Sequence, residues 1–140
     1  MYGGSPDRPG LVLGLDRGGR CGGVLYRIAA AEVEAELDIV WRREMVTGAY
    51  RPRWIRAASG DDRLDALTFV INRRHERYTG PVAEGELVEA LATACGALGS
   101  CADYLFATTA HLEQLDIADA ALQRLCAAVR AHQQHRHGVA

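Results

Sequence analysis

The sequence predicts an α+β fold, and three observations carry that expectation. Up to about residue 80, short apolar or alternating runs are separated by Gly- and Asp-rich turns, with one helical period among them. From residue 84 onward, apolar positions recur at helical spacing almost to the end. Strands first and helices after is the order of segregated α+β architectures. The third observation is size and composition. With 140 residues, 49% hydrophobic and 24% charged, the chain suits a single domain, 1–140, that buries a core without disulfides or a structural metal.

The elements follow in order. Residues 1–10 are a Gly/Pro-rich lead-in. "LVLGLD" (11–16) reads as a strand closed by the turn "RGGR", and "CGGVLYRI" (21–28) as a second strand, so the two predict a hairpin. "AAAEVEAELDIVWRRE" reads as a helix, with Val33, Leu37, Val40 and Trp41 on one side and Gly48 as its stop or the start of a loop. "YRPRWIRA" (50–57) alternates as a strand, "SGDD" is a turn, and "LDALTFVI" (64–71) is the strongest strand in the chain. "NRRHERYTGP" (72–81) is a polar loop.

Three helices follow. "EGELVEALATACGAL" places Leu87, Leu91, Ala94 and Leu98 on one face. "SCADYLFATTAHLEQL" opens with a capping pattern, Ser100 and then Asp103, and continues with Leu105, Thr108, Leu112 and Leu115. "IADAALQRLCAAVRAHQQ" aligns Ala118, Leu122, Leu125 and Val129, and the polar tail from about His132 to residue 140 is expected to fray.

Composition narrows the function classes. A net charge of −2 and a pI of about 6.2 give no basic footprint for nucleic acid and no membrane patch. All 16 basic residues are arginine, which excludes a lysine Schiff base and a P-loop lysine. Cys21, Cys95, Cys101 and Cys126 contain no C-x-x-C pair; buried free thiols are expected, with Cys95 and Cys101 on successive helices. The first ten residues lack the basic and apolar regions of a signal peptide, and no apolar run reaches membrane-spanning length, so a cytoplasmic protein is expected. "HQQHRH" (132–137) has no carboxylate or cysteine placed to complete a metal site, so no metal is expected. "RGGRCGG" is glycine-rich but leads into a strand pattern, not the helix N-terminus that a phosphate loop needs.

One acid stands out. Glu44 ends a helical pattern, just before Gly48 and the Arg/Tyr-rich strand. Partial desolvation there would tune it toward a general base, the flanking Arg42 and Arg43 would oppose that shift, and a solvated ion pair is the plainer alternative.

Four stretches, in order, resemble the ChaC-type, glutathione-specific γ-glutamylcyclotransferases: "RPGLVLGLDRGGRCGGVLYRI", "REMVTGAYRP", "ALTFV" followed by "RYTGP", and "GALGSCADYL". The resemblance covers about residues 8–125. It implies a small mixed β-barrel with C-terminal helices and a cofactor-free reaction on glutathione. In that reaction the α-amine of the γ-glutamyl group attacks its own side-chain amide, releasing 5-oxoproline and Cys-Gly. It implies Glu44 as the base that takes the ammonium proton and returns one to the leaving amine. The tethered nucleophile leaves the protein mainly the task of folding the substrate into an attacking geometry. Tyr50, Tyr78 and Tyr104 match the family's substrate-pocket tyrosines.

The chain departs from the pattern at its start. The family's first strand and its Tyr-Gly-Ser loop have no counterpart; "YGGS" at 2–5 precedes the wrong segment to replace them. A barrel incomplete at the N-terminus is therefore expected, with an open sheet edge that favours pairing and a pocket short of its oxyanion donors. Ala97, Leu98, Cys101 and Glu76 also replace residues usual in the family. These departures leave two alternatives beside glutathione turnover: a non-catalytic remnant or truncated form acting only as a binding or interaction module, and an enzyme for another γ-glutamyl substrate.

Overall fold

The computed structural model describes residues 10–96 and 99–137. The lead-in up to residue 9, including "YGGS", lies outside the described residues, as do Ala97, Leu98 and 138–140. The described part is α+β: four helices and two antiparallel two-stranded sheets. Among these residues no helix is long and apolar enough to cross a membrane. The chain divides into two units, Gly14–Gly80 and the remainder.

The Gly14–Gly80 unit is built on one hairpin. Strands β1 (Tyr50–Ser59) and β2 (Asp62–Ile71) pair in unbroken register from Tyr50 opposite Ile71 to Ser59 opposite Asp62. Only Gly60 and Asp61 remain for the turn, and Gly60 takes a φ of 58° that its missing Cβ permits. Helix α1 (Val33–Met45) precedes the hairpin. Glu34 and Glu36 in its first turn and Arg42 and Arg43 in its last complement the helix dipole. Arg42 forks onto Asp38 one turn back at 2.6 and 3.1 Å. Trp41 of α1 meets Phe69 of β2 edge-on, with ring centroids 6.0 Å apart. Gly48, at φ 72°, turns the chain from α1 into β1.

The expected hairpin of 11–16 with 21–28 does not form. Residues 21–28 pair with nothing as a strand, and the 11–16 stretch makes a single parallel bridge, Leu15 to Val70. The competing partner is β2: its free edge takes the Leu15 carbonyl through the Ile71 N–H at 2.8 Å. Gly14 permits this approach, since a Cβ there would lie 2.7 Å from Ile71 Cγ1. Val24, Leu25 and Tyr26 stay exposed, and no side chain of the Gly14–Gly80 unit is buried.

The other unit holds helices α2 (Glu84–Thr93), α3 (Cys101–Gln114) and α4 (Ala120–His137), with a short pair, β3 (Cys95–Gly96) and β4 (Gly99–Ser100), between α2 and α3. The core joins Leu91 and Ala94, Cys101, Ala102 and Leu105, and Cys126 and Val129. Leu11 packs against it, and the Cys101 thiol lies 3.5 Å from the Leu11 carbonyl. Helix α2 is shorter than its sequence pattern: Ala94 turns extended (ψ 130°), so Cys95 lies on a strand, not a helix. Ser100 caps α3 as expected, accepting from the Asp103 N–H at 3.0 Å. On α3 the buried stripe is Cys101, Leu105 and Thr109, one residue off the Thr108 side. Thr109 is satisfied by the Leu105 carbonyl at 2.9 Å and the Cys126 sulfur at 3.2 Å. All four thiols are free, but only Cys101 and Cys126 are buried; Cys21 and Cys95 are exposed. The helix also runs on through the stretch expected to fray, and His132 Nε2 sits 3.1 Å from Glu89 Oε2.

Candidate active site

Glu44 occupies the last turn of α1, where its side chain is about one quarter exposed. Arg43 donates from Nε to Glu44 Oε1 at 2.9 Å, a charge-assisted contact between neighbours in sequence. The helix C-terminus and the left-handed Gly48 then carry the chain to Tyr50, the first residue of β1. Tyr50 is half-buried beside Gly14, whose position would put a Cβ 3.5 Å from Tyr50 Cε1.

The backbone between Glu44 and Tyr50 is tied to the loop that ends in Tyr78. The Asn72 N–H donates to the Ala49 carbonyl at 2.8 Å, and its side-chain amide donates to the Gly48 carbonyl at 3.0 Å. His75 Nε2 lies 2.9 Å from the Thr47 carbonyl, and the Arg77 N–H donates to His75 Nδ1 at 3.2 Å. Both contacts are met together when the ring proton sits on Nε2. His75 thus clamps the turn after Glu44 to the Tyr78 loop, and the Tyr78 N–H donates back to the His75 carbonyl at 2.9 Å.

Tyr78 has a charged partner. Its hydroxyl lies 3.4 Å from Asp16 Oδ2. Arg73 grips Asp16 with both arms, Nε to Oδ1 and Nη2 to Oδ2, each at 2.8 Å, and its guanidinium carbon stands 5.9 Å from the Tyr78 ring centre. The Arg73 hydrogen bond, followed by one from the Arg17 N–H, pulls the Asp16 carboxyl down to about 2.

Of the four residues predicted from sequence, Glu44, Tyr50 and Tyr78 therefore share the Gly14–Gly80 unit. Tyr104 lies in the first turn of α3 in the other unit, half-buried. Asp16, Asn72, Arg73 and the clamping role of His75 were missed by sequence reasoning. The one signal was the density of polar groups in 72–78 just before Tyr78; no spacing rule couples Asp16 to a residue 57 positions away. Among the described residues, no group of three or more His, Cys, Asp or Glu is arranged to hold a metal.

The sequence matches the family model described as ChaC-like protein over residues 2–132. It is 36% identical over 128 residues to the glutathione-specific γ-glutamylcyclotransferase of Escherichia coli (strain K12). That match takes in 91% of this chain and 55% of the relative, so the chain spans about half the length of the curated relative it matches.

Proposed function

The chain belongs to the ChaC-like family, and from that premise we propose that it is a γ-glutamylcyclotransferase acting on glutathione. The observation that carries the proposal is the placement of Glu44: an acid at the end of α1, about one quarter exposed, on a backbone laced to the loop bearing Tyr78. Its carboxylate takes a proton from the substrate α-ammonium. The freed amine attacks the γ-carbonyl carbon, the new C–N bond closes 5-oxoproline, and the bond to the cysteinyl nitrogen breaks. The same group returns that proton to the departing Cys-Gly nitrogen, and the second proton, which the ring nitrogen sheds on closure, leaves the released amine as an ammonium. Tethering of amine and carbonyl within one substrate reduces the protein's task to orientation, for which Tyr50, Tyr78 and Tyr104 are the proposed contacts.

In this proposal the β1–β2 hairpin, with Leu15 bridged to its edge, is the described part of a small mixed barrel belonging to a single domain 1–140. The protein works in the cytoplasm without a cofactor, and a strand edge is available for pairing. Equimolar release of 5-oxoproline and Cys-Gly from glutathione by the purified chain tests the reaction. Parallel rates on simple γ-glutamyl dipeptides test the substrate, and faster turnover of those would move the assignment away from glutathione. The absence of any buried side chain in the Gly14–Gly80 unit favours a second reading, a non-catalytic binding module. A folded sample that binds glutathione and releases no 5-oxoproline would establish it.

A further inference from the structure

We infer that Asp16 and Arg73 are positioning residues that hold the Tyr78 hydroxyl for substrate. The inference rests on the proposed role of Tyr78 as a substrate contact. Three features of the cluster converge. The Tyr78 hydroxyl lies 3.4 Å from Asp16 Oδ2, so the phenol has a charged acceptor within reach. Asp16 is itself fixed, because Arg73 occupies both its oxygens at 2.8 Å and the Arg17 N–H donates to Oδ1, also at 2.8 Å. Arg73 also stands by the ring it steadies, 5.9 Å from its centre.

The cluster depends on the unexpected chain path. The Leu15–Val70 bridge sets Asp16 at the end of β2, where Arg73 and Tyr78 follow in the next loop. Tyr78 is only half-buried, in a unit where no residue is fully buried. Polar contacts are therefore an important means of orienting it. Asp16 and Arg73 are about one third exposed, so replacing either leaves a solvated group and not a buried orphan.

The test is a double-mutant cycle on glutathione turnover with Asp16→Asn, Tyr78→Phe and the pair. Asp16→Asn should raise KM on the order of tenfold, the usual worth of one hydrogen bond to a charged group, and leave kcat nearly unchanged. Arg73→Gln should reproduce it, and Asp16→Glu should restore part of the loss. In the Tyr78→Phe background, Asp16→Asn should have no further effect. Multiplying effects in the double variant would show that Asp16 does not act through Tyr78 and would overturn the inference. A separate readout covers a chain that releases no 5-oxoproline, an outcome that overturns the functional proposal alone. With ring-labelled tyrosine, Asp16→Asn should shift the Tyr78 NMR signals and leave those of Tyr50 in place; unmoved Tyr78 signals would overturn the positioning role.

Discussion

Leu105 on α3 and Trp54 on β1 are both large apolar side chains, yet one is 2% exposed and the other 72%. The contrast extends to the units around them. The helical unit gathers Leu91, Leu105, Cys126 and Val129 into a core, and the buried Thr109 is hydrogen-bonded. The Gly14–Gly80 unit leaves Leu25, Tyr26, Trp41, Trp54 and Ile55 in solvent and is ordered instead by a strand ladder, polar clamps and the Arg73–Asp16 fork. A lone hairpin is marginal in water without a packed face. The proposed chemistry thus resides on the less packed of the two units, where local opening is expected to be easiest.

The sharpest way to break this comparison is a pair of truncations. Leu105→Ala removes packed methyls from the core and should cost about 2–5 kcal/mol in urea unfolding. Trp54→Ala removes a larger side chain and should change stability by no more than about 0.5 kcal/mol. Similar costs for the two would mean that the hairpin face is packed in solution. An effect between these two is expected from Gly14→Ala, which forces a Cβ against Ile71 Cγ1 at 2.7 Å and crowds Tyr50. Overpacking of this kind costs about 1–3 kcal/mol. Hydrogen exchange should show that loss in β2 and leave α3 and α4 protected.

Acid gives the gentlest probe. Asp16 has its carboxyl lowered from 3.8 to about 2, so its contribution to folding is in place above 3.8 and is lost as the pH falls through about 2. Tyr78 ring signals should therefore hold steady down to that window and move within it, and Asp16→Asn should abolish the transition. A transition centred near neutral pH would assign Tyr78 a different partner.

How much was legible in the sequence follows the same division. The helical unit was readable because Leu91, Leu105, Leu122 and Val129 sit at the spacing that one buried face requires, and Ser100 announced the start of α3. β1 and β2 were readable from alternation and a glycine turn. The 11–28 region was not: its apolar runs satisfy a strand pattern, but pairing is settled by a long-range competition for the edge of β2, which Leu15 wins through one bridge. As site candidates, Glu44 drew notice by its place at a helix end, but its proposed role, like that of Tyr78, came only from resemblance to a family. Their supports, Asp16, Asn72 and His75, reach across the chain through single hydrogen bonds that leave no periodic trace.

The measurement that tests the central claim most directly is the rate of 5-oxoproline release from glutathione by the chain and by Glu44→Gln. The amide keeps the size of the side chain and removes the base. The account predicts release by the parent chain and a fall of about 10²–10⁴-fold in kcat for the variant, the usual worth of a positioned general base. Undiminished release by Glu44→Gln would contradict it.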